Sequence, residues 1–305
     1  MKKHLLAILL FSLAMGSCEK NCEPKKPKKS DHLNVTVLLD LSSRINAESD
    51  KNRSLQPPPS DRDREIIKEI LSNFKARKKG EILSSKDKIR VVFSPAPSDP
   101  EINSLAKSLS VDFETMPQKD KKPAYQSLLA NFDKTLKQIY AKATSGKKTE
   151  KDFPGSDIWR FFRSDVKELG IESNPEFRNV LVILTDGYLL HEQSLNERKG
   201  NRTGFISEGL LGREGLRGSN WQEKFDKGDY GLISFGQDYS NLEVFVFEIN
   251  PTVGSPNDEY VIKAYLQKWF KEMKVKGAEE DRIFKTDLPE NTKKRIQTFF
   301  NVTSN

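Results

Sequence analysis

The chain has 305 residues, a formal net charge of +7, and 31% charged against 35% hydrophobic residues. Seven of its 51 Lys and Arg residues and two of its 44 Asp and Glu residues lie in the first 30 positions, which leaves 44 basic against 42 acidic residues in the remainder. The basic charge therefore belongs to the start of the chain and does not indicate nucleic-acid binding. The two cysteines, Cys18 and Cys22, exclude a disulfide framework and a cysteine-built zinc site.

The first 17 residues have the form of a secretory signal, with two lysines, a short apolar run and small residues before Cys18. The apolar run is too short to be a transmembrane helix. The small residues before Cys18 resemble a bacterial lipobox, which implies cleavage there and a diacylglyceryl lipid, with palmitate, on the Cys18 thiol. We therefore expect a lipoprotein signal peptide at 1–17, a lipid-bearing Pro/Lys tether at 18–31, and one folded domain at 32–305.

The segment 33–45 places a predicted strand directly before polar side chains. A continuous apolar run rich in β-branched residues, such as residues 35–39, is typical of a strand buried on both faces of a parallel sheet. Asp40, Ser42 and Ser43 follow it, at the edge where ligands bind in open α/β sheets. An Asp and a Ser at this point also suit the cap of a following helix. Both interpretations are open from this segment alone.

Strands and helices alternate along the rest of the chain. Helical periodicity predicts helices near 61–79, 124–143, 157–169, 259–275 and 289–300, and apolar runs predict strands at 89–93, 179–186, 242–249 and 282–285, with a weak strand at 110–114. The alternation predicts an α/β domain with one doubly wound, mostly parallel sheet and helices on both faces. The Gly- and Arg-rich segment 188–240 is an insertion beside Asp186, either a recognition loop or a packed irregular segment.

Two predicted buried strands deliver Asp40 and Asp186 to the same edge of the sheet, and a Gly-flanked Ser156 precedes a helix. Asp40-x-Ser42, the Gly-Ser-Asp-Ile turn at 155–158 and the Thr-Asp-Gly at 185–187 together resemble the von Willebrand factor type A domain family, whose fold is Rossmann-like. The resemblance implies a metal-ion-dependent adhesion site, with Asp40, Ser42, Ser156 and Asp186 holding Mg²⁺, some through water. An open position on the ion would accept a carboxylate of a partner. Hydroxyl and carboxylate oxygens suit Mg²⁺.

Arg44 stands where the family motif has its second serine, and Ser43 is adjacent but out of phase. A guanidinium between the two carboxylates would replace or repel the cation, whereas an Arg44 that points to solvent would leave a weaker site. The sequence therefore leaves two outcomes, a degenerate Mg²⁺ site or no cofactor. We expect Arg44, Asp157 and Tyr188 to contact the partner.

The sequence favours a non-enzymatic module, lipid-anchored in a bacterial cell envelope at the outer membrane or cell surface, that binds a protein or peptide through an acidic residue of that partner. The alternative is a metal-assisted hydrolase that uses Asp40 and Asp186. The sequence shows no Ser/His/Asp arrangement and no Gly-x-Ser-x-Gly motif, and we expect His191 to be a surface residue before a general base. A third hypothesis is an assembly subunit of an envelope complex.

Overall fold

The computed structural model describes residues 32–49, 52–77, 82–252 and 254–301. The predicted signal peptide, Cys18 and the tether lie outside these ranges. Within them, no helix combines the length and the apolar character needed to cross a membrane.

The described ranges contain nine strands and nine α-helices. The strands are β1 (His32–Leu39), β2 (Lys88–Phe93), β3 (Val111–Asp112), β4 (Phe177–Leu184), β5 (Arg198–Lys199), β6 (Arg202–Thr203), β7 (Gly231–Leu232), β8 (Leu242–Ile249) and β9 (Ile283–Lys285). The helices are α1 (Pro59–Arg77), α2 (Pro100–Ser108), α3 (Gln118–Thr144), α4 (Ile158–Arg160), α5 (Val166–Leu169), α6 (Glu208–Arg213), α7 (Trp221–Lys227), α8 (Asp258–Glu272) and α9 (Pro289–Asn301).

Six strands form the central sheet, in the spatial order β3-β2-β1-β4-β8-β9. Every neighbouring pair is parallel except β2 with the short edge strand β3. β4 and β8 are buried along their whole length, and β1 is buried at every position after His32. The order reverses between β1 and β4, which is the switch point where doubly wound sheets open a crevice at their carboxyl edge. The predicted fold class is confirmed.

Helices cover both faces of the sheet. Because side chains alternate along a strand, Val35, Val37 and Leu39 pack on one side with α1, α3 and α9, and Leu38 packs on the other side with α4, α5 and α8. The indoles of Trp159 and Trp269, both fully buried on this second side, donate to the Ile233 carbonyl at 2.9 and 3.1 Å. The two cores hold the carboxyl ends of β1 and β4 in fixed positions.

The helices differ from the prediction in three places. The helix α2 was not predicted, although Asp99 caps it by accepting from the Glu101 N–H at 2.8 Å and Pro100 starts it. The helix α3 begins at Gln118 and runs through Pro123, which we expected to start it. The predicted helix at 157–169 is interrupted, because a π-helical turn at Phe161–Asp165 separates α4 from α5. None of these differences moves a predicted site residue off its strand end or loop.

The insertion 188–240 is a packed part of the domain. It contains a small sheet in the order β5-β6-β7 together with α6 and α7. Its apolar side chains Ile206, Leu211, Phe225 and Leu232 are buried in the same core as α8. The insertion is therefore packed against the domain, and this packing leaves its expected role in recognition untested.

Candidate functional site

The carboxyl ends of β1 and β4 meet at the crevice, where Leu39 pairs with Leu184 in the parallel register. Asp40 follows β1, and its backbone N–H donates to the Leu184 carbonyl at 3.1 Å. The Thr185 hydroxyl donates to Oδ2 of Asp40 at 2.7 Å. Burial raises the pKa of Asp40; the Arg44 charge opposes the rise and the Asp186 charge adds to it. The structure therefore brings the two predicted carboxylates together at one edge.

Ser42 and Ser43 begin a 3₁₀ turn (Ser43–Ile45) directly above the end of β1. The Ser42 N–H donates to Oδ1 of Asp40 at 2.9 Å, and the Ser42 hydroxyl accepts a long bond of 3.4 Å from the Arg44 N–H. Ser42 is thus the cap of this turn and a cavity-lining hydroxyl at once. The cap interpretation and the site interpretation of this segment do not exclude each other.

Arg44 takes neither of the positions that we expected. Its side chain is 3% exposed, its Nε donates to the backbone carbonyl of Asp40 at 2.9 Å, and its Nη2 pairs with the Asp63 carboxylate. It therefore points away from solvent and makes its direct ion pair with Asp63, while its charge also acts on the carboxylates of Asp40 and Asp186. Its guanidinium is buried and paired internally, so Arg44 is not accessible at the surface of this structure, and its expected contact with a partner stays a prediction.

Asp63 makes a buried pair with Arg44 beneath the site. It lies on α1 and is 0% exposed, and the Tyr140 hydroxyl donates to its Oδ2 at 2.5 Å. Burial raises the pKa of Asp63 to about 6, against the opposing effect of the Arg44 charge. The Asn52 amide donates to the Arg44 carbonyl at 2.7 Å and accepts from the Asn250 amide at 2.9 Å. Arg44 is thereby held directly by Asp40, Asn52 and Asp63, and Tyr140 and Asn250 in turn hold two of these partners.

Ser156 lies at the floor of a cavity. Gly155 before it has a φ of +79°, and the Ser156 N–H donates to the Leu190 carbonyl at 2.9 Å. The Ser156 Oγ is buried and has no hydrogen-bond partner among the residues that the structure describes. The cavity measures about 820 Å³. It is lined by Ser42, Ser43, Glu150, Lys151, Phe153, Pro154, Gly155, Ser156, Asp186, Tyr188, Leu190, His191, Glu192, Leu195, Ser207, Glu208 and Gly209.

Three of the four predicted metal-site residues therefore face one cavity. Ser42, Ser156 and Asp186 line it, and Asp40 lies just below the floor, 1% exposed. Within the described ranges, no three side chains drawn from His, Cys, Asp and Glu converge as metal ligands. A cation held here would need hydroxyl oxygens beside the carboxylates, which is a ligand set for a hard ion such as Mg²⁺. The residues present fit such an ion.

Asp157 and Tyr188, the other expected partner contacts, differ in exposure. Asp157 is 2% exposed and is bound by Arg160 at 2.9 Å, Ser194 at 2.5 Å and His191 at 3.1 Å. Asp157 is held by these internal contacts, and its expected contact with a partner stays a prediction. Tyr188 is half-buried at the cavity, and its hydroxyl donates to Asp258 at 2.8 Å. Burial raises the pKa of Tyr188, so the phenol stays neutral.

Sequence reasoning missed the residues that hold the site from below. Thr185 belongs to the Thr-Asp-Gly segment at 185–187, but its hydrogen bond to Asp40 was not predicted. Asp63 and Tyr140 carried no local signal, because they lie on helices distant in sequence from Arg44, and only the packing of α1 and α3 brings Asp63 to Arg44 and Tyr140 to Asp63. A buried carboxylate on a helix cannot be told from a surface one by sequence position alone.

No protein-family model matches the chain, and no curated protein matches it. Among solved structures it is similar to an aerotolerance-related membrane protein from Bacteroides fragilis NCTC 9343 carrying multiple mutations to serines, at 12% identity and TM-score 0.39 over 88% of this chain and 99% of that one. It is also similar to the pilus adhesin SpaC from Lactobacillus rhamnosus GG in an open conformation, at 11% identity and TM-score 0.40 over 89% of this chain and 30% of the adhesin. Both TM-scores are too low for either likeness to carry an argument, so the fold class rests on the strand order.

Proposed function

We propose that this chain is a von Willebrand factor type A-like, non-enzymatic module that binds a protein partner through a divalent cation at the carboxyl edge of its sheet. The residues that would hold the ion are Asp40, Ser42, Ser156 and Asp186. A bound Mg²⁺ would supply an open coordination position for a carboxylate oxygen of the partner. The protein supplies the fixed oxygens around it.

The observation that carries this proposal is that the buried Ser156 hydroxyl lacks a hydrogen-bond partner among the described residues. Burying a hydroxyl without a hydrogen bond costs about 1–3 kcal/mol. The Ser156 Oγ has no partner among the described residues, and Ser156 lines the same cavity as Ser42 and Asp186. A cation, or a water bound to one, would give that oxygen its missing contact.

The environment of Asp40 supports the same proposal. Its carboxylate accepts from two neutral donors, the Ser42 N–H and the Thr185 hydroxyl. Burial raises its pKa and the Asp186 charge adds to the rise, against the opposing charge of Arg44, whose guanidinium is paired with Asp63. A nearby divalent cation would favour the ionised carboxylate and offset this effect.

The test is thermal unfolding of the purified full-length chain in detergent, with and without Mg²⁺ or Mn²⁺. We expect either cation to raise the melting temperature, and Ser156→Ala and Asp186→Ala to abolish the rise. Without metal, Ser156→Ala should leave stability unchanged or raise it, because the hydroxyl lacks a partner. Ser194→Ala is the matched control, because the Ser194 hydroxyl is also buried but donates to Asp157. This variant should be less stable than the parent and should keep the metal response. No response at millimolar metal would remove the cation from the proposal.

The proposed location is a bacterial cell envelope, with the chain anchored by a lipid on Cys18. The support is the lipobox-like segment before Cys18 and the Pro/Lys tether after it. Cys18→Ala should move the protein from the membrane fraction to the soluble fraction of its host. Retention of that variant in the membrane fraction would contradict the anchor.

A metal-assisted hydrolase is the second candidate, and one contact favours it. His191 lines the cavity, and its Nδ1 lies 3.1 Å from the buried Asp157 carboxylate and accepts from the Gln193 N–H at 3.3 Å, so the ring is held at the cavity wall, where a general base would be needed. The test is hydrolysis of p-nitrophenyl phosphate and p-nitrophenyl acetate with Mg²⁺ present. Turnover that His191→Ala removes would favour the hydrolase over the binding module.

A further inference from the structure

We propose that the cavity rim selects a partner segment in which the metal-bound carboxylate is flanked by a basic residue and by an apolar residue. The rim is defined as Leu190 and Leu195, which form its apolar part, and Glu150, Glu192 and Glu208, which form its acidic part. The inference rests on the proposed function, because the partner's carboxylate is taken to reach the ion at Ser42, Ser156 and Asp186.

The apolar part of the rim is exposed. Leu190 and Leu195 are each 42% exposed, and they are two of five large apolar side chains with high exposure in the described ranges. A single exposed leucine needs no explanation, but two that line one cavity mark a contact surface. Phe153 and Pro154 line the same cavity and extend its apolar wall.

The rim is held rigidly from behind. The Leu190 carbonyl accepts from Ser156, and the neighbouring Leu189 carbonyl accepts from the Ile206 N–H at 2.9 Å. The buried Asp157 carboxylate binds Ser194 and His191, which lie between and beside the two exposed leucines. The leucines therefore stay at the surface because the backbone beneath them is fixed, and binding would cost little ordering of this segment.

The charge of the rim points to a basic flank. Exposed carboxylates at Glu150, Glu192 and Glu208 line the cavity, against one ammonium, that of Lys151. Such a surface repels a partner that is acidic along its whole contact, and attracts Lys or Arg beside the single carboxylate that the ion binds. The cavity volume of about 820 Å³ has room for several side chains of one protein segment.

The experiment uses a phage-displayed library in which a fixed Asp has three randomised residues on each side, panned against the immobilised full-length chain in detergent with Mn²⁺. We expect enrichment of Lys or Arg on one side of the Asp and of Leu, Ile, Phe or Met on the other. A labelled consensus peptide from this selection is then the probe for fluorescence polarisation. Enrichment without a flank preference, or of acidic flanks, would overturn the proposal.

Variants of the rim make the test specific. Leu190→Ser and Leu195→Ser should each weaken binding of the consensus peptide by about three- to tenfold. Leu288→Ser should not, because Leu288 is 65% exposed but lies outside the cavity. Glu150→Lys with Glu192→Lys should reverse the preference, so that a peptide with Glu in place of its basic flank binds better than the consensus. If the parent and all rim variants bind the consensus peptide with equal affinity, the rim does not select the partner.

The two proposals fail in distinguishable ways. In one outcome, EDTA releases the peptides and Asp186→Ala no longer binds them, but the rim variants bind them as tightly as the parent. This outcome supports the cation site and contradicts the role of the rim. Peptides that bind equally with EDTA, or a library with no enrichment, refute both.

Discussion

Arg44 stands where the resemblance would place a serine, and its side chain is built into the core beneath the site. A serine at this position would offer a hydroxyl to the crevice, whereas Arg44 reaches past it to Asp63 on α1. Its Nε donates to the Asp40 carbonyl, so Arg44 also fixes the loop that carries Asp40 and Ser42. The guanidinium remains charged because Asp63 neutralises it inside the core.

The first prediction concerns Arg44→Ser. The change would restore the motif's serine but leave the fully buried Asp63 without its counter-charge, which typically costs about 3–5 kcal/mol. We expect a loss of that order in the free energy of unfolding measured in urea. Arg53→Ser, at an exposed arginine of the same loop, should change it by no more than about 0.5 kcal/mol. A variant as stable as the parent would show that the Arg44–Asp63 pair contributes little.

The second prediction is a pH dependence that comes from Asp63. Burial raises the pKa of Asp63 from 3.8 to about 6, so the folded chain holds this proton more tightly than the unfolded chain. The resulting stability is present in full below about pH 4 and is lost as the pH rises through about 6. The Tyr140 hydroxyl bond lowers the pKa of Asp63, so Tyr140→Phe should move this loss to higher pH.

The measurement is the free energy of unfolding in urea across this pH range, with the Asp63 carboxyl followed by NMR. Tyr239→Phe is the control, because that buried hydroxyl donates to the Phe162 carbonyl at 2.8 Å. It should lower stability equally at every pH. An unchanged Asp63 titration in Tyr140→Phe would contradict the role given to Tyr140.

At the scale of elements, the loop before α4 positions the hydroxyl that the site needs. Gly155 adopts a left-handed conformation and approaches the Leu190 carbonyl so closely that a Cβ would lie 2.1 Å from its oxygen. This close approach lets Ser156 hydrogen-bond to the insertion and brings its side chain to the cavity floor. The small residue is needed because two backbones meet there.

The third prediction compares Gly155→Ala with Gly146→Ala. Both glycines have a left-handed φ, +79° and +72°, but a Cβ at Gly146 would have no neighbour within 4 Å. Gly146→Ala should therefore cost only the conformational strain, about 1 kcal/mol. Gly155→Ala should cost more, because the loop must also move away from Leu190.

The measurements are the unfolding free energy and the melting-temperature rise caused by Mn²⁺. We expect Gly155→Ala to reduce the metal response and Gly146→Ala to keep it. Equal costs for the two substitutions would mean that the contact with Leu190 does not hold the loop.

At the scale of the whole molecule, the insertion joins the site to the far helix α8. The Arg217 guanidinium binds the fully buried Asp258 carboxylate with two bonds, of 2.9 and 2.6 Å, and the Tyr188 hydroxyl binds the same carboxylate. Tyr188 lines the cavity, so the cluster of Arg217, Asp258 and Tyr188 connects the cavity wall with the first turn of α8. The insertion is thus part of the structure that shapes the site.

The fourth prediction is that Arg217→Gln loosens the insertion and leaves the central sheet intact. Asp258 would keep its hydrogen bond from Tyr188 but lose its ion pair with Arg217. This loss favours local opening of the insertion over global unfolding. Amide hydrogen exchange should become faster at 200–232 and stay unchanged in β1 and β4. Arg213→Gln, at an exposed arginine of α6, should leave the exchange pattern as it is. Faster exchange throughout the sheet would show that the insertion is needed for the global fold.

The fold was predictable because its signals are local. Long apolar runs such as residues 180–184 indicate buried strands, and the alternation of strands with amphipathic helices indicates the layered sheet. The insertion gave a weaker signal, since its strands are two residues long and its glycines resemble those of a loop. Short elements are fixed by what they pack against, and a sequence pattern does not contain that information.

The sequence alone predicted that Asp40 and Asp186 lie at the same edge of the sheet, because parallel strands carry the residues after them to one side. The structure then showed that β1 and β4 are neighbouring strands. The sequence also identified Ser42 and Ser156 as hydroxyls that accompany the two carboxylates. Only the tertiary structure decided the direction of Arg44, because its partners Asp63 and Tyr140 come from two helices distant in sequence. A buried charge lies wherever its counter-charge lies, and that place is set by how the helices pack on the sheet.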